Sequence, residues 1–221
     1  MSIKGSLIKG VIHLKDNLTP TINHIEAQEN VLSSLLNSAK DTEFGKVYNF
    51  EEILSSEDKA EAFAKNIPYF DYNKLKSEWW NRVIEGEENI TWPGNPDYFA
   101  LSSGTTGKKS KRIPVTNDMI ESIKKAGIKQ VEALSNYDLP TSFFDKEIMM
   151  LGSSTDLNER NGNLEGEISG ISASKIPFWF EGYYKPGKEI AKIDDWDERV
   201  QQIAEKAKDF DIGALSGIPS W

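Results

Sequence analysis

From Tyr98 to Val115 the chain passes from an apolar run, Tyr98-Phe99-Ala100-Leu101, through Ser102-Ser103-Gly104-Thr105-Thr106-Gly107-Lys108-Lys109-Ser110-Lys111, into Arg112-Ile113-Pro114-Val115. Both flanks carry β-forming residues, and Pro114 opposes a helix directly after the loop. The segment is therefore expected to be a hairpin-like loop between two strands, and a sheet must exist to receive both. Its glycines let the backbone turn tightly and present N–H groups with no Cβ in the way. Successive N–H groups in such turns form anion-binding concavities. The hydroxyls of Ser102, Ser103, Thr105, Thr106 and Ser110 can donate to phosphate oxygens. Lys108, Lys109, Lys111 and Arg112 concentrate positive charge in a chain whose net charge is -9. A polyphosphate suits this combination. A Walker A loop does not fit, because it needs Gly-x-x-x-x-Gly-Lys-Ser/Thr with a helix straight after, and Gly104 and Gly107 stand too close together. The competing reading is a plain exposed turn, and the flanking strands and the opposed local charge weigh against it.

The rest of the chain reads as alternating helices and strands, which argues for an α/β architecture. Apolar residues at Ile25, Leu32, Leu35, Leu36 and Ala39 predict a helix over about Ile22 to Ala39, broken by Asp41 to Gly45. A short helix is expected from Glu57 to Lys65. Asp71 is a good N-cap for the next one, striped by Leu75, Trp79 and Val83 and stopped at Gly86. Trp92-Pro93-Gly94-Asn95-Pro96 reads as a rigid loop. Thr116 caps a long helix to about Leu134, and Glu147 to Leu151 is a strand. Asp156 to Gly170 is loop or hairpin. A helix starting at Asp194 or Asp195 carries Trp196, Val200, Ile203 and Ala207 on one face, with a strand from Asp211 to Leu215 after it. Residues 1–90 are thus expected to form a mainly helical segment, and residues 91–221 an α/β segment holding the loop.

With this organisation in view, the sequence resembles the auxin-responsive promoter family of acyl-acid amido synthetases, bacterial members included, within the acyl-adenylate-forming superfamily. Ser102 to Gly107 followed by a basic stretch looks like the superfamily's phosphate-binding signature. Lys40 to Phe50, Ile67-Pro68-Tyr69 before Asp71-Tyr72, Trp92-Pro93-Gly94 and Ile113-Pro114-Val115-Thr116 are similar to the family's N-terminal region, so the resemblance runs from about Ile22 onward. It implies the N-terminal part of an adenylate-forming enzyme's large domain, a mixed sheet flanked by helices. It implies ATP-dependent activation of a carboxylic acid as an acyl-adenylate, with magnesium on the phosphates, then transfer to an amine, often an amino acid's. By similarity Ser102, Ser103, Gly104, Thr105 and Thr106 would hold the phosphates. Gly107 and Lys108 continue the turn, and Lys111 matches the family's lysine only if one extra residue is allowed. No catalytic side chain and no metal ligand is assigned.

The family's later tyrosine- and glutamate-containing motif and its mobile C-terminal domain are not found before Trp221. The expectation is an N-terminal portion that does not complete the reaction alone. A non-catalytic nucleotide-binding module and a polyanion-binding basic patch are the alternatives. The acidic total charge disfavours nucleic acid and anionic lipid as partners. No run is apolar enough to span a bilayer and no signal peptide is evident, so the cytoplasm is the expected location. A strand ending near Trp221 would leave a sheet edge that invites association. With no cysteine, disulfides and thiol chemistry are excluded. His13 and His24 read as surface or capping residues. The stretch from Asn161 lacks an acid at the twelfth place of a calcium loop. The aromatic group Phe178, Trp179, Phe180, Tyr183 and Tyr184 reads as core more readily than as an acyl pocket.

Overall fold

A computed structural model describes residues 3–18, 23–102 and 110–217. They form two compact units: residues 23–97, and residues 3–18 together with 98–102 and 110–217. The first helix, α1 (Ile3–Leu18), therefore belongs with the α/β unit and not with the helical segment that follows it in sequence.

The helical unit comprises α2 (His24–Ala39), α3 (Glu43–Val47), α4 (Phe50–Ser55), α5 (Lys59–Asn66) and α6 (Tyr72–Leu75). From α6 the chain runs through a π-helical turn, Lys76–Trp80, into α7 (Asn81–Ile84). Its capping is written in the sequence. Asp58 and Asp71 accept from the amides of Glu61 and Lys74, each at 2.8 Å, so that an otherwise unpaired N–H of the first turn is satisfied. Buried Thr42 donates to the Ala39 carbonyl at 2.6 Å and accepts from the Gly45 amide at 3.0 Å, turning the chain from α2 into α3. Leu36, Ala39, Phe50 and Ile53 form the core of this unit. The face expected for α2 holds only in part. Leu36 and Ala39 are buried and Leu32 packs against their cluster, but Ile25 is 69% exposed.

The α/β unit holds two sheets. In the first, β1 (Tyr98–Leu101) pairs antiparallel with β2 (Arg112–Val115) and parallel with β5 (Asn163–Gly166), which pairs antiparallel with β4 (Asn158–Arg160). Asn161 and Gly162 join β4 to β5 with positive φ of 54° and 80°, the backbone that a two-residue hairpin turn requires. Pleating alternates the faces of β1. Tyr98 and Ala100 pack with Val115, Ile120 and Ile171 beneath α8 (Asn117–Glu132) and α9 (Ile168–Ser174), while Phe99 looks the other way. In the second sheet, β3 (Glu147–Met150) pairs parallel with both β6 (Tyr184–Lys185) and β7 (Ile212–Ser216), and β7 forms an edge. Met149 packs there with Ile190 of α10 (Lys188–Ala191) and Ile203 of α11 (Trp196–Ala207). On α11 the buried positions are Arg199 and Ile203, whereas Trp196 and Val200 sit at the margin. The aromatic group divides: Tyr184 is buried, and Phe178 is 84% exposed.

Candidate functional site

The two strands flanking the loop pair with each other. Leu101 lies opposite Arg112, and the Ser102 amide donates to the Lys111 carbonyl at 3.1 Å, closing the neck of a hairpin. The chain thus leaves the carboxyl end of β1, an inner strand, and returns antiparallel. Among the described residues after the loop, the first helix starts at Asn117, capped by Thr116, whose hydroxyl accepts from the Met119 amide at 3.3 Å. Of the residues assigned to phosphate, Ser102 and Lys111 stand at this neck, and Lys111 is exposed. Ser103, Gly104, Thr105, Thr106, Gly107 and Lys108 lie outside the described residues.

Arg112 has a different task from the one its place in the basic run suggests. Its guanidinium forms a buried ion pair with Glu165 of β5. It also sits 4.4 Å from the centroid of the Phe99 ring, on the strand between them. Leu101 opposite Arg112 and Phe99 opposite Glu165 share one face of the sheet, so the pair spans β2, β1 and β5 directly under the neck. The cation is thus tied to β5 at the root of the loop.

Beside the neck a crevice of about 470 Å³ opens at the carboxyl ends of β1, β5 and β3. This is the edge at which open α/β sheets bind ligands. Leu101 and Gly166 contribute the strand ends, and Trp196 with Arg199 forms a wall. The loop after β3 is tied to the start of α9. The Ser153 amide donates to Ser169 Oγ at 3.1 Å, Ser169 Oγ donates to Ser153 Oγ at 3.0 Å, and Ser153 Oγ donates to Glu167. Gly170 allows this approach, because a Cβ there would stand 2.1 Å from the Ser154 carbonyl oxygen. Arg199 is 5% exposed. Its guanidinium lies 5.2 Å from the centroid of the Trp196 ring and donates from one Nη to the Ile193 carbonyl, while its buried Nε has no hydrogen-bond partner. Burial pushes the Arg199 pKa below its usual value, and the nearby Asp194 and Glu167 carboxylates oppose that shift. Sequence reading missed Arg199, because it looked for apolar residues on α11. The spacing of Trp196, Arg199 and Ile203 was the available signal.

Known proteins share sequence and fold with this chain. Residues 16–203 match the model of the GH3 family N-terminal domain. An indole-3-acetic acid-amido synthetase of Arabidopsis thaliana, GH3.15, is 29% identical over 114 residues, covering 51% of this chain and 18% of that protein. From the same plant, the 4-substituted benzoates-glutamate ligase GH3.12 is 30% identical over 111 residues, covering 50% of this chain and 18% of that protein. The solved structure of the GH3.15 acyl acid amido synthetase superposes with a TM-score of 0.70 at 19% identity, over 94% of this chain and 36% of that one. The matched segments thus cover less than a fifth of each curated relative, and the structural likeness concerns the fold alone.

Proposed function

The chain belongs to the GH3 family through its N-terminal domain, and on that premise we propose that it is the phosphate-gripping part of an acyl-adenylating ligase. The reaction is activation of a carboxylic acid by ATP, followed by transfer of the acyl group to an amine. Both curated relatives carry the name of an acid-amido synthetase or ligase, and one names glutamate as the partner of the acid. An amino acid is the proposed acceptor.

The observation that carries this reading is the hairpin neck. Ser102 and Lys111 are held together at the carboxyl end of β1, with the buried Arg112–Glu165 pair beneath. The proposal gives Ser102 to Thr106 to the β- and γ-phosphates, with Gly107 and Lys108 completing the turn and Lys111 supplying charge at the root. Hydroxyls and backbone N–H groups aimed at phosphate oxygens stabilise the leaving pyrophosphate without reorganising during the step. Among the described residues no three His, Asp or Glu side chains converge as a metal site. Magnesium is therefore proposed to be carried by the phosphate oxygens, where it would neutralise their charge. The 221 residues correspond to a small part of the relatives, and alone they are proposed to bind phosphate without completing the reaction.

Replacing Thr105 and Thr106 with Val removes two hydroxyl donors and nearly keeps their shape. At about 1 kcal/mol per hydrogen bond, tripolyphosphate binding should weaken roughly tenfold or more. Calorimetric titration of both proteins checks this. Unchanged affinity would reduce the segment to a charged turn.

A further inference from the structure

Helix α1 is apolar on both sides, and the rest of its unit covers one of them. The inner side carries buried Gly5 and Ile12 and packs on α8 and on the short turns Ala133–Asn136 and Thr141–Asp145. The outer side carries Ile3, Leu7, Val11, Leu14 and Leu18, each more than half exposed. Steps of four, four, three and four residues keep these five on one face. An exposed apolar face of this extent marks a surface that meets another molecule. Spacing and charge indicate which one. The five residues stand symmetrically about the point between Gly10 and Val11: Leu7 and Leu14 lie equally far from it, as do Ile3 and Leu18. An anionic lipid surface would need free cations beside the face. The helix's lysines are instead engaged within the unit, Lys4 over the Tyr183 ring, Lys9 with the Leu139 carbonyl and Lys15 with Glu132. The chain's charge also lies elsewhere. Residues 20–97 hold fifteen acidic and seven basic side chains, whereas the remainder, which includes α1, holds twenty and nineteen. A second copy approaching α1 therefore meets a nearly neutral unit.

We propose that α1 is a self-association surface, pairing antiparallel with α1 of a second copy of this chain about a two-fold axis between Gly10 and Val11. A two-fold interface must be complementary to itself, and the symmetric spacing supplies that. Ile3 then faces Leu18 of the second copy, and Leu7 faces Leu14. Gly10 faces Val11, and because nothing lies within 4 Å of a Cβ built on Gly10, the open glycine leaves room for valine and lets the helix axes close. The same register sets Lys15 opposite Ser6 and Lys4 opposite position 17, so no lysine meets a lysine. Antiparallel helices also bring opposite dipole ends together. The paired face is about 24 Å long at a rise of about 1.5 Å per residue. That is less than the roughly 800 Å² per partner of a standard interface, so the dimer is weak and depends on concentration. None of this rests on the ligase reading.

The test is sedimentation velocity of the whole chain over a concentration series. The unmodified chain should pass from monomer to dimer with a dissociation constant on the order of 100 μM. Leu7→Glu places a charge at an exposed position and should weaken association at least about tenfold. Leu7→Lys combined with Leu14→Glu should restore the dimer, because antiparallel pairing sets opposite charges face to face, whereas parallel pairing would set like charges together. The chain has no cysteine, so a second readout is clean. Leu7→Cys and Leu14→Cys chains, mixed and oxidised, should form a disulfide-linked pair that neither forms as readily alone. The unmodified series and the cysteine mixture decide the matter even if Leu7→Glu fails to fold. A chain that stays monomeric throughout, a dimer that survives Leu7→Glu, or cross-linking no better in the mixture than in the single variants would overturn the proposal. So would a monomeric chain that floats with phosphatidylcholine vesicles, which would give the face to lipid.

Discussion

Arg112 shows how a residue's neighbours in space override its neighbours in sequence. In the basic run after Gly107 it reads as a fourth cation for phosphate, but folding carries it across β1 to Glu165. Only strand register reveals that Arg112 shares a face with Phe99 and Glu165, and the partner on β5 lies some fifty residues downstream. Truncating one member of such a pair leaves a buried charge uncompensated, whereas replacing both with apolar groups of similar size does not. Glu165→Leu should therefore cost about 3 kcal/mol of stability. Adding Arg112→Met should recover much of that loss. Urea denaturation of the two single variants and the double variant measures the coupling. Simple addition of the two single losses would show that the pair does not fasten the loop's root.

Two glycines in helices of the α/β unit make opposite predictions. Gly170 in α9 faces the Ser154 carbonyl, and a methyl group there would be driven into backbone that cannot yield cheaply. Gly170→Ala should destabilise by roughly 1–3 kcal/mol as α9 is pushed from the loop after β3. Gly127 lies inside α8 with nothing within 4 Å of a built Cβ. Gly127→Ala should stabilise by about 0.5–1 kcal/mol, because alanine loses less backbone freedom on folding. Thermal unfolding reads both, and the same sign for the two would contradict the packing described here. Local chemistry made several elements legible: the caps Asp58, Asp71, Thr116 and Asp195, the π-containing helix with Trp79 and Val83 inside, and strands β1, β2 and β7. What failed depended on distant contacts. The Lys- and Gly-rich start of the chain gives no strong helical signal, yet α1 forms and packs Gly5 against the Thr141 carbonyl. The segment from Asp156 to Gly170, read as loop or hairpin, does hold the hairpin of β4 and β5, but the reading missed the start of α9 at Ile168. Its Asn161-Gly162 pair was the hairpin signal.

At the scale of the molecule, the proposed phosphate binding asks a chain with net charge -9 to hold a highly charged anion, so local donors have to outweigh the general repulsion. That balance predicts selectivity for phosphate number instead of for adenosine. Among the described residues no helix is long and apolar enough to cross a membrane. Amide-resolved NMR titration of the chain with ATP, tripolyphosphate and AMP at two salt concentrations tests this selectivity. The account predicts shifts at Leu101, Ser102, Lys111 and Arg112 for ATP and tripolyphosphate, with dissociation constants on the order of 1 mM. AMP should bind at least about tenfold more weakly, and added salt should weaken ATP binding as lysine attraction is screened. Equal shifts for AMP and ATP, or none at the hairpin neck, would contradict the claim that this loop grips the phosphates of ATP.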